Sequence, residues 1–199
     1  MFEVVEDFEV QIAEFFRAPF AVAVDSCTHG IELALRYIGV NKISVPKRTY
    51  ISIPLLAQKL GIELEWRDEI WVDYYHLTAT VIDAAVLWRA DSYIPGTMMA
   101  LSFQYQKHLS LGRGGMLLLD DENAALELKK MSYDGRVPSI PWREQDISTV
   151  GYHYYMTPET ALLGSEKLPA AMEMEPRKWV AEDWPDLTNM SVFRREINR

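Results

Sequence analysis

Short runs of unbroken apolar character, each followed by residues at helical spacing, constrain this chain more than any other feature. FAVAV at 20–24 predicts a buried strand. It leads through the small-residue turn DSCTHG into IELALRYIG, where Ile31, Leu35 and Ile38 share a face and Gly39 stops the helix. The alternation recurs: strand KISVP (42–46), helix SIPLLAQKLG (52–61), strand IELEW (62–66), strand TATVIDAA (78–85), strand MMALSF (98–103), strand GMLLLDD (115–121) and helix ENAALELKKM (122–131). Strands apolar on both faces, alternating with helices, predict a sheet covered on both sides and largely parallel, so the fold class is α/β. Before them, Val4, Phe8, Ile12, Phe15 and Phe16 recur at helical spacing over 4–17, and Pro19 ends that helix. From Ser132 the turn-rich SYDGRVPSIPWREQD marks a boundary or an excursion. Thr157-Pro158 then reads as an N-cap with proline at the first helical position, opening TPETALLGSEKL. The charged tail 169–199 has Trp179, Trp184 and Phe193 to anchor it.

With 199 residues, 49% of them hydrophobic, the chain can bury one sizeable core, which predicts one domain or one domain with an appendage. Twenty basic against twenty-nine acidic residues give a net charge of -9, so the surface as a whole repels nucleic acid and anionic membrane. A phosphate would need a local site. Cys27 is the single cysteine, which excludes an intrachain disulfide and fits a reducing compartment. No apolar run approaches a membrane span, and MFEVVEDFEV lacks the basic flank and apolar centre of a signal peptide. These features together predict a soluble, cytoplasmic protein.

Three strand ends carry polar groups: Asp25-Ser26-Cys27-Thr28 after FAVAV, Asp83 within VIDAAVLW, and Ser102 to Lys107 after MMALSF. Ligands of open α/β sheets sit beyond the carboxyl ends of strands, so the three segments are expected to converge on one pocket. The helix starting near His29 offers free N–H groups and a positive dipole to a phosphate, with the Ser26 and Thr28 hydroxyls beside it. Each residue also has a plainer role. Thr28 would serve as the helix cap, Asp83 as a surface or capping carboxylate, and Lys107 as a solvated loop charge. A lysine and an aspartate in one pocket with a phosphate cradle nevertheless meet the demands of pyridoxal phosphate: an amine for a Schiff base and an acid against the ring nitrogen. Tyr50, in KRTYISIP, stands at another strand-to-helix turn, placed to stack on the ring. His29, His76, His108 and His153 show no spacing that suggests a metal site. Gly112-Arg113-Gly114-Gly115 precedes a strand rather than a helix and reads as turn chemistry. Asp120-Asp121-Glu122 opens a helix, where dipole compensation accounts for it.

In order along residues 20–168, these pieces resemble the nucleotide-sugar aminotransferases of the DegT/DnrJ/StrS family. The resemblance rests on AVDSCTHGIELALRYIGV, VPKRTYISIP, IDAAV, SFQYQKHLSLGRGGMLLLDD and VGYHYYMTPETALLGSEKL. It implies the three-layer, mainly parallel large domain of a fold-type I transferase, here a shortened one over 1–168, with 169–199 a remnant of a small C-terminal domain mostly missing. It also implies that Lys107 forms the Schiff base with pyridoxal 5'-phosphate and shuttles the proton, that Asp83 keeps the pyridine nitrogen protonated, and that Tyr50 stacks on the ring. Cys27 (through its backbone N–H), Thr28 and Ser102 would contact the phosphate, with Ser26 and Gln104 completing the cofactor-binding set. His153 would reach the phosphate of a neighbouring subunit, which makes the active unit a homodimer. The chain departs from the family pattern at Val86, His108 and Tyr155, where relatives carry glutamine or histidine, asparagine and arginine.

The implied activity is amino transfer from an amino acid, glutamate by expectation, to a keto-sugar carried on a nucleotide, as in polysaccharide biosynthesis. Two other functions stay open at this point. One is a cofactor-binding or scaffold homologue without turnover, and the other is an unrelated α/β nucleotide-binding domain in which Lys107 is a surface charge.

Overall fold

A computed structural model describes residues 2–194. Its elements are α1 (Glu3–Phe16), β1 (Phe20–Val24), α2 (Cys27–Ile38), β2 (Lys42–Pro46), α3 (Ser52–Leu60), β3 (Glu63–Arg67), β4 (Tyr75–His76), β5 (Val81–Asp83), β6 (Met98–Ser102), β7 (Gly115–Leu119), α4 (Glu122–Ser132), α5 (Pro158–Glu173) and α6 (Ser191–Arg194), with three short 3-10 turns. A five-stranded sheet has the order β1-β7-β6-β5-β4, and β2 pairs with β3 alongside it. The two sheets are tied by Ser44 N–H donating to the Leu77 carbonyl at 3.0 Å.

The alternation of side chains along each strand builds three layers. Ala21 and Ala23 of β1, Ile82 of β5, Met99 and Leu101 of β6, and Met116 and Leu118 of β7 face a core shared with α1 and α5. Val22, Val24, Val81, Ala100, Leu117 and Leu119 face the opposite core, shared with α2, α3 and α4. Both faces are apolar because both are covered, and this is why the strands read as continuous hydrophobic runs. The sheet is mixed. β5 and β6 are parallel, and both run the same way as β1, whereas β7 lies antiparallel between β1 and β6 and β4 antiparallel at the edge.

Local chemistry sets the element ends. Ser26 caps α2 by accepting from His29 N–H, Asp121 caps α4 by accepting from Ala124 N–H, and Thr157 caps α5 by accepting from Thr160 N–H. The cap of α2 is therefore Ser26, not Thr28, and the helix begins at Cys27, ahead of His29. The strand expected over 78–85 is cut to Val81–Asp83, because the Thr78 hydroxyl accepts from Val81 N–H at 2.9 Å and closes a turn. That turn joins β5 to β4, a two-residue strand too short to leave a periodic signature. The segment after Ser132 is an excursion that returns to its origin: Tyr152 N–H donates to the Met131 carbonyl, and Tyr155 bridges back to Val24. α5 then runs unbroken across residue 168.

Gly164 shows how closely α5 packs on α1. A Cβ placed there would stand 2.5 Å from Cζ of Phe8, whose ring is fully buried. Alanine would add about 1 kcal/mol of helix propensity but overpack this contact by about 1–3 kcal/mol. Gly164→Ala should therefore lower the urea midpoint, and Phe8→Leu added to it should recover part of the loss.

Candidate functional site

The common direction of β1, β5 and β6 brings Asp25, Asp83 and Ser102 to one edge of the sheet. Ser26, Cys27, Thr28, Tyr50, Asp83, Ser102, Gln104 and Lys107 line a cavity of about 180 Å³ there, together with Arg113, Gly114, Trp179 and Trp184. The expected convergence of three strand ends is thus met. His153 is not at this cavity. Its side chain is 72% exposed on the excursion after α4, with Nδ1 3.2 Å from the Asp134 carboxylate.

At one end of the cavity lies the amino terminus of α2. Antiparallel β7 starts against it at Gly115, where a Cβ would come within 2.4 Å of the Cys27 backbone nitrogen. Only glycine lets the strand approach the first peptide of the helix so closely. The Thr28 hydroxyl shares a hydrogen bond of 2.7 Å with Ser52 Oγ, which joins the starts of α2 and α3. Unpaired N–H groups and hydroxyls gathered at a helix start can receive a phosphate. Asp25 beside them accepts from Arg113 Nη2 at 2.6 Å and lies 2.6 Å from Nδ1 of His29, whose ring stacks on Tyr154 at 3.6 Å. Arg113, taken in the sequence as turn chemistry, therefore lines the cavity.

At the other end, Asp83 is 4% exposed. Its Oδ1 accepts from Ala85 N–H at 2.9 Å and its Oδ2 from the Tyr75 hydroxyl at 2.5 Å. Tyr75 in turn meets the Thr49 hydroxyl at 2.7 Å. Burial pushes the Asp83 carboxyl above its ordinary value, while Tyr75, Ala85 and the charge of Lys107 pull it down. Among the described residues no ion pair to Asp83 forms, so this carboxylate is buried without a cation against it. It is not a surface group: one oxygen caps the turn that follows β5 through Ala85 N–H, and the other meets Tyr75.

Lys107 sits in the loop that joins β6 to β7. Its N–H donates to the Gln104 carbonyl at 2.8 Å, and the Gln104 side chain is occupied in accepting from Gln106 N–H. The ammonium lies 4.4 Å from the centre of the Trp179 ring. Burial is the largest cause of its lowered pKa, Arg177 adds to the lowering, and Asp83 opposes it. Lys107 is therefore a half-buried amine lining the same cavity as a buried acid, and not a fully solvated loop charge. Tyr50, 57% exposed, lines the same cavity.

These residues fit pyridoxal phosphate on chemical grounds. The buried Asp83 lacks the cation that a protonated ring nitrogen would supply, Lys107 offers the amine, and the start of α2 offers the anion site. Four contributors escaped the sequence reading: Tyr75, Thr49, and Trp179 and Trp184 as cavity walls. From sequence the tryptophans are anchors of a charged tail, and nothing in the spacing of Tyr75 pairs it with Asp83.

Burial of the Asp83 carboxyl costs stability, which gives a test with a definite sign. Its folded-state pKa is raised, so its effect is absent below the unfolded value of about 3.9, where both states are protonated, and the cost grows as pH rises through the folded value. Asp83→Asn should melt higher than the parent at pH 8, by about 2–4 °C per kcal/mol relieved, and equal to it near pH 3. For Lys107, labelling by trinitrobenzenesulfonate should have a pH midpoint below the usual lysine value of about 10.4. Trp179→Ala, by admitting water, should move that midpoint back up.

The sequence profile of the DegT/DnrJ/EryC1/StrS aminotransferase family matches residues 1–95 and 91–182. The spore coat polysaccharide biosynthesis protein SpsC of Bacillus subtilis strain 168 is 24% identical, across 87% of this chain and 58% of its own length. AtS13 from Actinomadura melliaura superposes with a TM-score of 0.74 at 20% identity, over 85% of this chain and 60% of that one. The sugar aminotransferase CalS13 from Micromonospora echinospora gives 0.70 at 16% identity, over 86% and 61%. The structural likeness establishes the fold, and the chain spans about three fifths of the length of these relatives.

Proposed function

The chain belongs to the DegT/DnrJ/EryC1/StrS aminotransferase family, and from that membership we propose that its cavity binds pyridoxal 5'-phosphate for transfer of an amino group from an amino acid to a keto-sugar. Glutamate is the proposed donor and a nucleotide-linked sugar the proposed acceptor. The observation that carries this is the pairing of Lys107, a desolvated amine, with Asp83, a buried carboxyl without a cation, across one cavity. When bound, the cofactor supplies an electron sink for the bonds at the substrate's amino carbon.

The chain's own residues supply the rest. Lys107 Nζ, held toward its neutral form by burial, serves as the covalent anchor and as the base that takes the proton from the substrate carbon and returns it. Asp83 grips the protonated ring nitrogen, and Tyr50 covers one face of the ring. Cys27 N–H and the hydroxyls of Ser26, Thr28 and Ser102 hold the phosphate, with Gln104 shaping the loop that presents Lys107. His153, exposed on its own subunit, serves the site of a partner in a homodimer. A division into 1–168 and 169–199 remains the proposal, with α5 crossing from one segment to the other, and a cytoplasmic setting the proposed location. The partners are small molecules rather than nucleic acid or membrane. Among the described residues no helix is long and apolar enough to cross a bilayer.

One observation favours a second function, cofactor binding without turnover: the Trp179 ring lies directly on the Lys107 amine, where a substrate has to arrive. Absorbance decides between them. Protein given pyridoxal phosphate should develop a visible band that Lys107→Ala abolishes; no band overturns both proposals. Glutamate should then convert the band to that of pyridoxamine phosphate in an enzyme. A band unchanged by every amino donor tried establishes the scaffold.

A further inference from the structure

The Asp83 carboxyl does not stand alone: behind it runs a closed line of hydroxyls that the amino-transfer proposal does not use. Thr49, Tyr75 and Asp83 are 2%, 3% and 4% exposed, so no bulk water competes for their hydrogen bonds. The direction of the line follows from counting protons. An ionised carboxylate can only accept, so the Tyr75 hydroxyl donates to Asp83 Oδ2 at 2.5 Å. The Tyr75 proton is then used, and in the 2.7 Å contact with Thr49 the threonine hydroxyl must donate to the tyrosine oxygen. Each donor polarises the next, and the chain as a whole points its protons at the carboxylate.

The backbone holds this line in place. Tyr75 and Asp83 are direct partners in the antiparallel register of β4 and β5. Trp71 packs edge-on against the Tyr75 ring with centroids 4.9 Å apart. Desolvation and the charge of Asp83 both keep the Tyr75 phenol protonated, so it remains a donor across the working pH range. The remaining oxygen of Asp83 accepts from Ala85 N–H.

We propose that Tyr75, backed by Thr49, is a positioning residue that keeps Asp83 ionised in its buried site and so keeps the proton of the facing ligand nitrogen on that nitrogen. The part concerning the ligand rests on the amino-transfer proposal above; the part concerning Asp83 does not. Burial favours the neutral acid, and a hydrogen bond to the charged form opposes it. Without the phenol, Asp83 becomes a stronger base, and a proton shared with a ring nitrogen moves toward the carboxylate.

The test has two stages that fail separately. In the ligand-free protein, the carboxyl carbon of Asp83, labelled with carbon-13 and assigned by its loss in Asp83→Asn, is titrated by NMR. Tyr75→Phe should raise the midpoint by about one unit or more, as expected for loss of a hydrogen bond to a charged group. Thr49→Val, which keeps the Tyr75 bond but removes its backing, should raise it by less. A midpoint unchanged in Tyr75→Phe overturns the proposal. Should Tyr75→Phe fail to fold, the Thr49→Val titration decides alone, and no upward shift there overturns it. In the second stage, pyridoxal phosphate labelled with nitrogen-15 in the ring is added. Tyr75→Phe should shift its resonance from the pyridinium position toward that of neutral pyridine, a change that loss of packing alone would not produce. A ring resonance identical in parent and variant overturns the ligand part, whereas failure of the parent to bind the labelled compound overturns the amino-transfer proposal and leaves the first stage standing on its own result.

Discussion

A carboxylate sunk into an apolar layer must be compensated, and the architecture around the cavity follows from how Asp83 is compensated. It lies on the face of β5 that carries Val81, toward α2 and α3, so it is roofed by helices rather than by solvent. Three groups offset the lost hydration: Tyr75, the Ala85 backbone and, through space, Lys107. None is a cation in contact. The carboxyl is thus left with an electrostatic demand that the protein alone does not meet, a condition costly to stability and useful for gripping a positively charged ring.

The mixed sheet explains why that demand sits next to the start of α2. Because β1, β5 and β6 point the same way, their carboxyl ends open on one edge, and the chain leaving β1 turns at once into α2 with its dipole directed there. β7 runs the other way and fills the gap between β1 and β6, touching the start of α2 only because residue 115 has no side chain. The loop from β6 to β7 is consequently forced to pass over the cavity, and it carries Lys107. An acid, an amine and the start of a helix end within one small volume through strand direction.

The residues after α5 determine how dry that volume is. Trp184 is buried against Trp71, Trp179 stacks on Trp184, and the Arg48 side chain donates to the Trp184 carbonyl at 2.8 Å. Lys107 and Arg177 both lie over the Trp179 ring, 4.4 Å and 3.9 Å from its centre. The ring attracts the ammonium, whereas partial burial and the nearby Arg177 charge favour loss of the lysine proton.

The elements were legible in the sequence wherever a residue's neighbours along the chain decide its conformation. The apolar runs of β1, β2, β6 and β7, the helical spacing of α1 and α4, and the Thr157-Pro158 start of α5 all came through, because propensity, capping and periodicity act over a few residues. The acid and the amine were legible too, as polar groups at strand ends. What stayed hidden depends on pairing across distance. β4 exists because Tyr75 and His76 find β5, and its two residues carry no pattern of their own. The line from Thr49 through Tyr75 to Asp83 joins the loop after β2 to two strands, and Trp179 reaches Lys107 from 72 positions along the chain. The sequence by itself determined which groups could do chemistry and roughly where the strands and helices lie. Only the tertiary structure decided that Asp83 is buried without a cation, that Lys107 is half-buried, and which hydroxyls face the acid, since desolvation and hydrogen bonding depend on what surrounds a group in space rather than on what precedes it in the chain.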